Sequence, residues 1–441
     1  MLDINVGIIL EERLQLQRQP LMKIFSTPFG RSNIPADSTQ NETNSTQNSF
    51  YKAFRECLTS FTFDFIGLLA GFIFTLFLDI FMLAPWIIAV YPAILTARGA
   101  LVGIFTGRLS TSLHIGTIYP KFAGNTRAFH ILVDTTVVMN LIVSFLMSLI
   151  AMAFDFLFWG AEVGNFIDIM LNVIATMALG LTIFIPTACI SFLSFKAGLD
   201  PDVVVYPIMS SVADALITIY YALIVAIFFL SGSIGRAVVI TINIFYLALT
   251  ALIVLRNIHD GEFIKGIKEI LLTLIIVAFI VNVTGTFLGR ISAIIEERRE
   301  VYTVYPSLID MIGDVGSVIG STATTRLALG LINPSLRELK KLREHILGSW
   351  LSSLIILTTL SATSLVLNGL FETTHFAWLT SILIIVDIIA VSLILCISFL
   401  VSILTFKRSL DPDNFVIPIE SSLADSITTL SLLLALLLIP G

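Results

Sequence analysis

Eleven apolar segments of 20 residues or more follow one another almost without interruption beyond residue 58, and this pattern limits the fold more than any other feature. They run over 59–83, 86–117, 129–158, 164–195, 203–230, 235–256, 266–294, 302–332, 346–370, 376–406 and 415–439. Each is long enough for a hydrocarbon core of ~30 Å. Within lipid, only helices and closed barrels satisfy every backbone polar group, and segments of this length are helices. The predicted fold is therefore an all-α polytopic membrane protein with about 11 transmembrane helices. Composition agrees: 56% of the 441 residues are hydrophobic and 13% charged, where soluble proteins carry ~25% charged residues. A soluble enzyme, a nucleic-acid binder and a disordered scaffold are excluded, and the net charge of −6 offers nucleic acid no basic patch. Cys57, Cys189 and Cys396 lack the close spacing of a metal cluster or disulfide framework. The second and eighth segments are long and glycine-rich, so a break or kink is expected in each.

Residues 1–57 are expected to form a polar cytoplasmic tail. Its stretch Asn33–Ser49 is rich in Ser, Thr, Asn and Gln and reads as disordered. The apolar stretch near Ile8 is too short for a cleavable signal peptide. Placing the N-terminus inside puts Lys121, Arg127, Lys196, Arg256, Lys265, Lys268, Arg337, Lys340, Lys341, Arg343, Lys407 and Arg408 at inner loops, against Arg236, Arg298 and Arg299 outside. Positive charge favours the cytoplasmic side, so a cell-membrane protein with its N-terminus inside and its C-terminus outside is expected.

The chain also repeats itself. Phe195–Asp214 reads FKAGLDPDVVVYPIMSSVAD and Phe406–Asp425 reads FKRSLDPDNFVIPIESSLAD, thirteen identities in twenty at an offset of 211. At an offset of 214, Tyr91-Pro92 matches Tyr305-Pro306, Gly99 matches Gly313, and Thr111, Leu113 and Gly116 match Thr325, Leu327 and Gly330. Two five-helix repeats, 58–231 and 259–441, are joined by a linking transmembrane helix in 232–258. An odd-numbered unit ends on the face opposite its start, so one added crossing makes the repeats parallel, about an axis along the membrane normal.

An aspartate at the centre of a membrane helix costs ~2.5–3.5 kcal/mol on insertion scales and calls for a partner or a role. Asp214 lies twelve residues beyond Asp202, or ~18 Å at 1.5 Å per residue, near mid-membrane. Asp425 is its repeat. Ser210, Asp214 and Thr218 share a helix face at i, i+4, i+8, as do Ser421, Asp425 and Thr429. Such hydroxyl–carboxylate stripes suit a hydrated cation path. Pro207 and Pro418 each free a backbone carbonyl, and hard oxygen donors suit magnesium or calcium. Facing repeats would bring Asp214 and Asp425 to one axis, where a divalent ion relieves their repulsion. The structural alternative pairs each with a buried arginine, from Arg98, Arg108, Arg290 and Arg326. Asp200-Pro201-Asp202 and Asp411-Pro412-Asp413 read first as helix caps. Gly99, Gly103 and Gly107, matching Gly313, Ser317 and Ser321, are read as close-packing positions. Asp310 and Asp314 share a face and are candidates for an asymmetric part of the path. Asp64, Asp79, Asp134, Asp155, Asp168 and Asp387 carry weaker signals, and the five histidines show no ligand spacing.

The segments GRLSTSLHIG (107–116), GSTATTRLALG (320–330) and both P-I-x-S-S-x-A-D runs resemble the MgtE magnesium transporter family, over residues 59–439. The two-repeat layout is closer to its solute-carrier branch and archaeal relatives. The resemblance implies a pore between paired five-helix units. It assigns magnesium binding to Asp214 and Asp425, with Ser210 and Ser421 contributing oxygens. Bacterial members carry cytoplasmic magnesium-sensing domains, where this chain has a polar tail. The solute-carrier branch often has a Gly-Asn pair where this chain has Gly99-Ala100 and Gly313-Asp314.

The leading expectation is a divalent cation transporter, for magnesium as cargo, without a cofactor and able to work as a monomer. Alternatives are a sodium-coupled exporter or a cobalt or calcium transporter. An intramembrane enzyme and a non-transporting scaffold complete the set. Met311-Ile312-Gly313-Asp314 is not the Gly-x-Gly-Asp of an intramembrane aspartyl protease, and Tyr-Asp, His-Glu-x-x-His and Gly-x-Ser-Gly are missing from the chain.

Overall fold

The computed structural model describes residues 38–159, 165–197, 201–295, 298–328, 330–408 and 412–439. Among them the regular structure is helical. The helices are α1 (Ser38–Phe61), α2 (Phe65–Leu76), α3 (Leu78–Phe81), α4 (Pro85–Ile115), α5 (Arg127–Trp159), α6 (Asn165–Gly180), α7 (Phe184–Lys196), α8 (Pro201–Leu230), α9 (Gly232–Asn257), α10 (Gly261–Ile295), α11 (Arg299–Ala328), α12 (Arg343–Leu367), α13 (Thr373–Lys407) and α14 (Pro412–Leu438). Tight 3-10 turns occupy Thr62–Asp64, Leu181–Ile183 and Leu336–Leu342.

Ten candidate spans among the described residues are long and apolar enough to cross a membrane. They coincide with ten of the eleven expected segments. The remaining one, 302–332, is α11, where Asp310, Asp314 and Arg326 lower the hydropathy. The chain is thus an all-α polytopic membrane protein.

Three local expectations are corrected. The second and eighth spans are unbroken: α4 runs through Pro92 and α11 through Pro306. Interruptions fall instead in the first span, at Thr62–Asp64, and in the fourth, at Leu181–Ile183. Part of the tail expected to be disordered is helical, because α1 begins at Ser38. Extending a nucleated helix fixes one residue per added hydrogen bond, so the amphipathic end at Phe50–Phe61 can propagate into the polar stretch.

Contacts between helices are reciprocal. The first span, α2, packs on its own fifth span α8 but also on α11 of the other repeat; correspondingly α10 packs on α14 and on α4. At the first crossing, a Cβ on Gly71 would stand 2.1 Å from the carbonyl oxygen of Thr303; at the second, a Cβ on Gly285 would stand 1.8 Å from that of Ala89. Gly71 and Gly285 are separated by 214 residues, as are Ala89 and Thr303. One contact is therefore the repeat of the other, the signature of a two-fold pseudo-axis. The first spans are exchanged across that axis, so each repeat is completed by the other. The most apolar window of α4 is 83% buried in protein, that of α9 only 22%. Helix α9 packs on α5, α6 and α8, and turns Ile234, Ile244, Phe245 and Leu255 outward. Its outward face is apolar.

Candidate cation site

The repeated segment forms the N-terminal halves of α8 and α14. Pro201 and Pro412 open these helices, as prolines do in a first turn. Asp200 and Asp411, expected as caps, lie outside the described residues. Asp214 is 5% exposed and Asp425 6% exposed, both deep in the helix bundle.

Each aspartate is held by the same bracket. Thr218 Oγ1 donates to the Asp214 carbonyl (2.6 Å), and Thr429 Oγ1 donates to the Asp425 carbonyl (2.7 Å). Tyr91 OH meets Thr218 Oγ1 at 2.9 Å, and Tyr305 OH meets Thr429 Oγ1 at 2.9 Å. Both threonines, expected along the path, are fully buried, and their hydroxyls are engaged in these bonds. Ser210 and Ser421, one turn earlier on the same faces, are partly exposed.

A second set of contacts crosses between repeats. Thr96 of α4 donates a hydrogen bond to Asp425 Oδ2. The residue 214 positions after Thr96 is Asp310 of α11, and Asp310 stands in the electrostatic field of Asp214. Asp425 thus bonds the second span of the other repeat, and Asp214 lies within the field of a carboxylate on the other second span. Asp214 also feels the charges of Asp425 and of Arg98. Asp310 lies in the fields of Asp64, Asp314 and Asp425 as well, and the Oδ2 atoms of Asp64 and Asp310 are buried without a hydrogen-bond partner. Ser307 Oγ donates to the Asp64 carbonyl (2.8 Å), tying the interrupted first span to α11 beside this acidic group.

The arginines expected as structural partners behave differently. The guanidinium nitrogens of Arg98 have no hydrogen-bond partner, while Arg326 donates to the Lys341 carbonyl at 2.9 Å. The expectation of close packing at the glycine stripe is also corrected. A Cβ at Gly99, Gly107 or Gly313 would meet nothing within 4 Å. Gly99, Gly103 and Gly107 are half-buried on a helix face whose neighbours are mostly buried, as are Gly313, Asp314 and Ser317. These small residues border open space; close approach is made at Gly71 and Gly285 instead.

Sequence reasoning missed Thr96, the Tyr91 and Tyr305 brackets, and Glu420. Glu420 is 1% exposed and accepts from Ser398 Oγ at 2.6 Å, and its Oε1 would lie 2.6 Å from a Cβ on Gly316. A usable signal existed: Glu420 replaces Met209 within the otherwise shared P-I-x-S-S run. Among the weaker candidates, Asp387 is fully buried and accepts from Trp350 Nε1 (2.6 Å) and Ser353 Oγ (2.8 Å), so it is a satisfied structural group. Among the described residues, no three His, Cys, Asp or Glu side chains form a ready chelate.

The family model for MgtE, described as divalent cation transporter, matches residues 91–224 and 305–435, together more than half of the chain. The chain belongs to the MgtE family of divalent cation transporters. The two matched stretches begin on Tyr91 and Tyr305, the bracket tyrosines of the two repeats. Among curated proteins and solved structures, none matches the chain significantly. Its activity is divalent cation transport across a membrane, and it is a transporter rather than an enzyme.

Proposed function

We propose that this MgtE-family chain carries magnesium along a central path between its two repeats, with Asp214 and Asp425 as paired ligands at mid-membrane. Ser210 and Ser421 contribute oxygens one turn away. Asp310 and Asp314 extend the acidic lining on one side, and Thr218 and Thr429 continue the polar faces of Asp214 and Asp425 one turn on. What carries this reading is the reciprocal crossing: Thr96 reaches Asp425 while its counterpart Asp310 lies in the field of Asp214. The half-buried stripes at Gly99 and Gly313 give such a path its room. Magnesium releases its water reluctantly, so dispersed carboxylates that contact a largely hydrated ion suit it better than a tight cage.

The two repeats occupy 58–231 and 259–441, with the linking helix between them. Exchange of first spans within one chain makes a monomer a complete unit. The positive charge at inner loops supports an N-terminus inside and a C-terminus outside.

Flux into proteoliposomes tests the assignment, with magnesium, calcium or cobalt and with or without a sodium gradient. Asp214→Ala and Asp425→Ala are each expected to abolish magnesium flux while the protein stays folded. Wild-type flux in both variants defeats the site. Flux that requires a sodium gradient, or that favours calcium or cobalt, replaces the magnesium reading with one of the rival cargo or coupling schemes.

A further inference from the structure

The transport reading leaves Arg98 without a role. Its side chain is completely buried, and no guanidinium nitrogen has a hydrogen-bond partner. An unpartnered buried cation is among the most unfavourable placements a fold can make. The surroundings are nevertheless shaped for it. The guanidinium carbon lies 5.1 Å from the centre of the Phe184 ring, within cation–π range. A Cβ on Gly180 would stand 3.8 Å from Arg98 Cδ and 3.0 Å from Ile217 Cδ1. Ile217 is less than one turn from Asp214 on α8, and Asp214 is the carboxylate whose charge Arg98 feels.

The arrangement exists in one repeat only. The position matching Arg98 is Ile312, and the position matching Gly180 is Val391. The tight turn Leu181–Ile183 lies between Gly180 and Phe184, the residues against the arginine, whereas α13 runs unbroken through the equivalent stretch. The second repeat has its own departure: Asp310 stands where the first has Thr96. Asp64, Asp214, Asp310, Asp314 and Asp425 make this region strongly acidic, and Arg98 is a buried base whose charge Asp214 feels.

We infer that Arg98 is a fixed counter-charge that keeps a divalent ion at Asp214 and Asp425 from binding too tightly to leave. The inference rests on the reading of Asp214 and Asp425 as the ion site. Without the ion, the guanidinium attracts Asp214 in its place; with the ion bound, the two cations repel each other and release is faster. Arg98 acts through this field and is a positioning residue, with no contact to the ion required.

The test uses the full chain, with magnesium titrated by calorimetry and magnesium flux measured in proteoliposomes. Arg98→Gln and Arg98→Met are expected to lower the magnesium dissociation constant by about ten-fold or more, because a buried unit charge acts strongly in a poorly screened interior. Half-saturation and maximal flux should fall together. Arg98→Lys keeps the charge and should keep the wild-type affinity. Unchanged or weaker magnesium binding in both neutral variants overturns the inference. So does failure of both to fold while Arg98→Lys folds, since the charge is then structural. Asp214→Asn separates the two levels. If it binds magnesium like the wild type, the site itself fails. If it loses binding while Arg98→Gln binds like the wild type, only the role of Arg98 fails.

Discussion

Alanine at Gly71 or Gly285 tests the exchanged architecture directly. A methyl group at these positions would enter carbonyl oxygens of the opposite repeat, at 2.1 Å and 1.8 Å, where ordinary contact begins at 3.4 Å. The obstacle is backbone, so no side chain can rotate away. Helix α2 must part from α11, or α10 from α4, by roughly 1–1.5 Å, and a gap of that size forfeits a quarter to a half or more of each dispersion contact along the crossing. Overpacking of this kind costs ~1–3 kcal/mol, occasionally more, and rigid partners place both sites at the upper end. Better helix propensity returns up to ~1 kcal/mol, leaving a net loss of ~2 kcal/mol per site.

The control lies in the same molecule. Gly99→Ala and Gly313→Ala gain the propensity and meet nothing within 4 Å, so they should be neutral or stabilising by up to ~1 kcal/mol. Thermal unfolding of the purified protein in detergent, followed by the loss of the monodisperse size-exclusion peak, reads the difference. The two damaging substitutions should match each other, being repeats of one contact, and should add in the double variant because the two contacts share no atoms. Wild-type melting for both Gly71→Ala and Gly285→Ala, or equal damage from Gly99→Ala and Gly313→Ala, refutes the exchanged packing.

Flux should separate the same glycines in the opposite sense: Gly99→Leu and Gly313→Leu fill the open stripe and are expected to reduce magnesium flux severalfold without lowering the melting temperature. Tyr91→Phe and Tyr305→Phe each remove one buried hydrogen bond to a threonine, worth ~0.6–1 kcal/mol in a membrane protein, and nearly equal melting shifts are expected. Asp387→Ala strands the Trp350 and Ser353 donors and should lower stability by ~1–3 kcal/mol while leaving magnesium affinity unchanged. At the exposed turn before α10, the hydrogen bond from Arg127 (2.5 Å), then those from the Glu262 and Phe263 backbone, hold the Asp260 carboxyl below the usual carboxylate range. A depressed folded value means that this link is intact above the unfolded value of ~3.9 and is lost as pH falls through the lower folded one. The protection factors of amides around the turn, corrected for the intrinsic pH dependence of exchange, should be flat from pH 8 to 5 in the wild type and lower throughout in Arg127→Ala.

Much of the fold was legible because lipid imposes a simple rule. Twenty apolar residues make a span, and the runs from 59 to 439 were read as spans that the helices reproduce. The second rule, that matched segments imply a repeat, located Asp214 and Asp425. Part of what escaped had no local pattern. Thr96 is an ordinary hydroxyl until Asp425, 329 residues away, arrives beside it. The glycine stripe at 99, 103 and 107 has the spacing of a packing motif, and only the placement of the neighbouring helix decides whether it touches protein or borders space. Gly71 and Gly285 sit in the Gly-x-x-x-Gly pairs Gly67–Gly71 and Gly285–Gly289, a close-packing pattern that was there to be read and was passed over for the longer stripe at 99, 103 and 107.

The mismatches between the repeats are the more informative part. Thr96 against Asp310, Arg98 against Ile312, and Met209 against Glu420 are departures from a shared template, and reading by resemblance passes over them. Drift without consequence would scatter over the lipid-facing surfaces, where apolar residues exchange freely. These three instead place buried polar or charged groups inside the bundle, and two of them lie within the electrostatic reach of Asp214. A path on the axis of two identical chains must present the same charge from both sides. Fusing the repeats removes that constraint, so a symmetric frame built on Gly71, Gly285 and the tyrosine brackets can carry an acid on one wall and a base on the other.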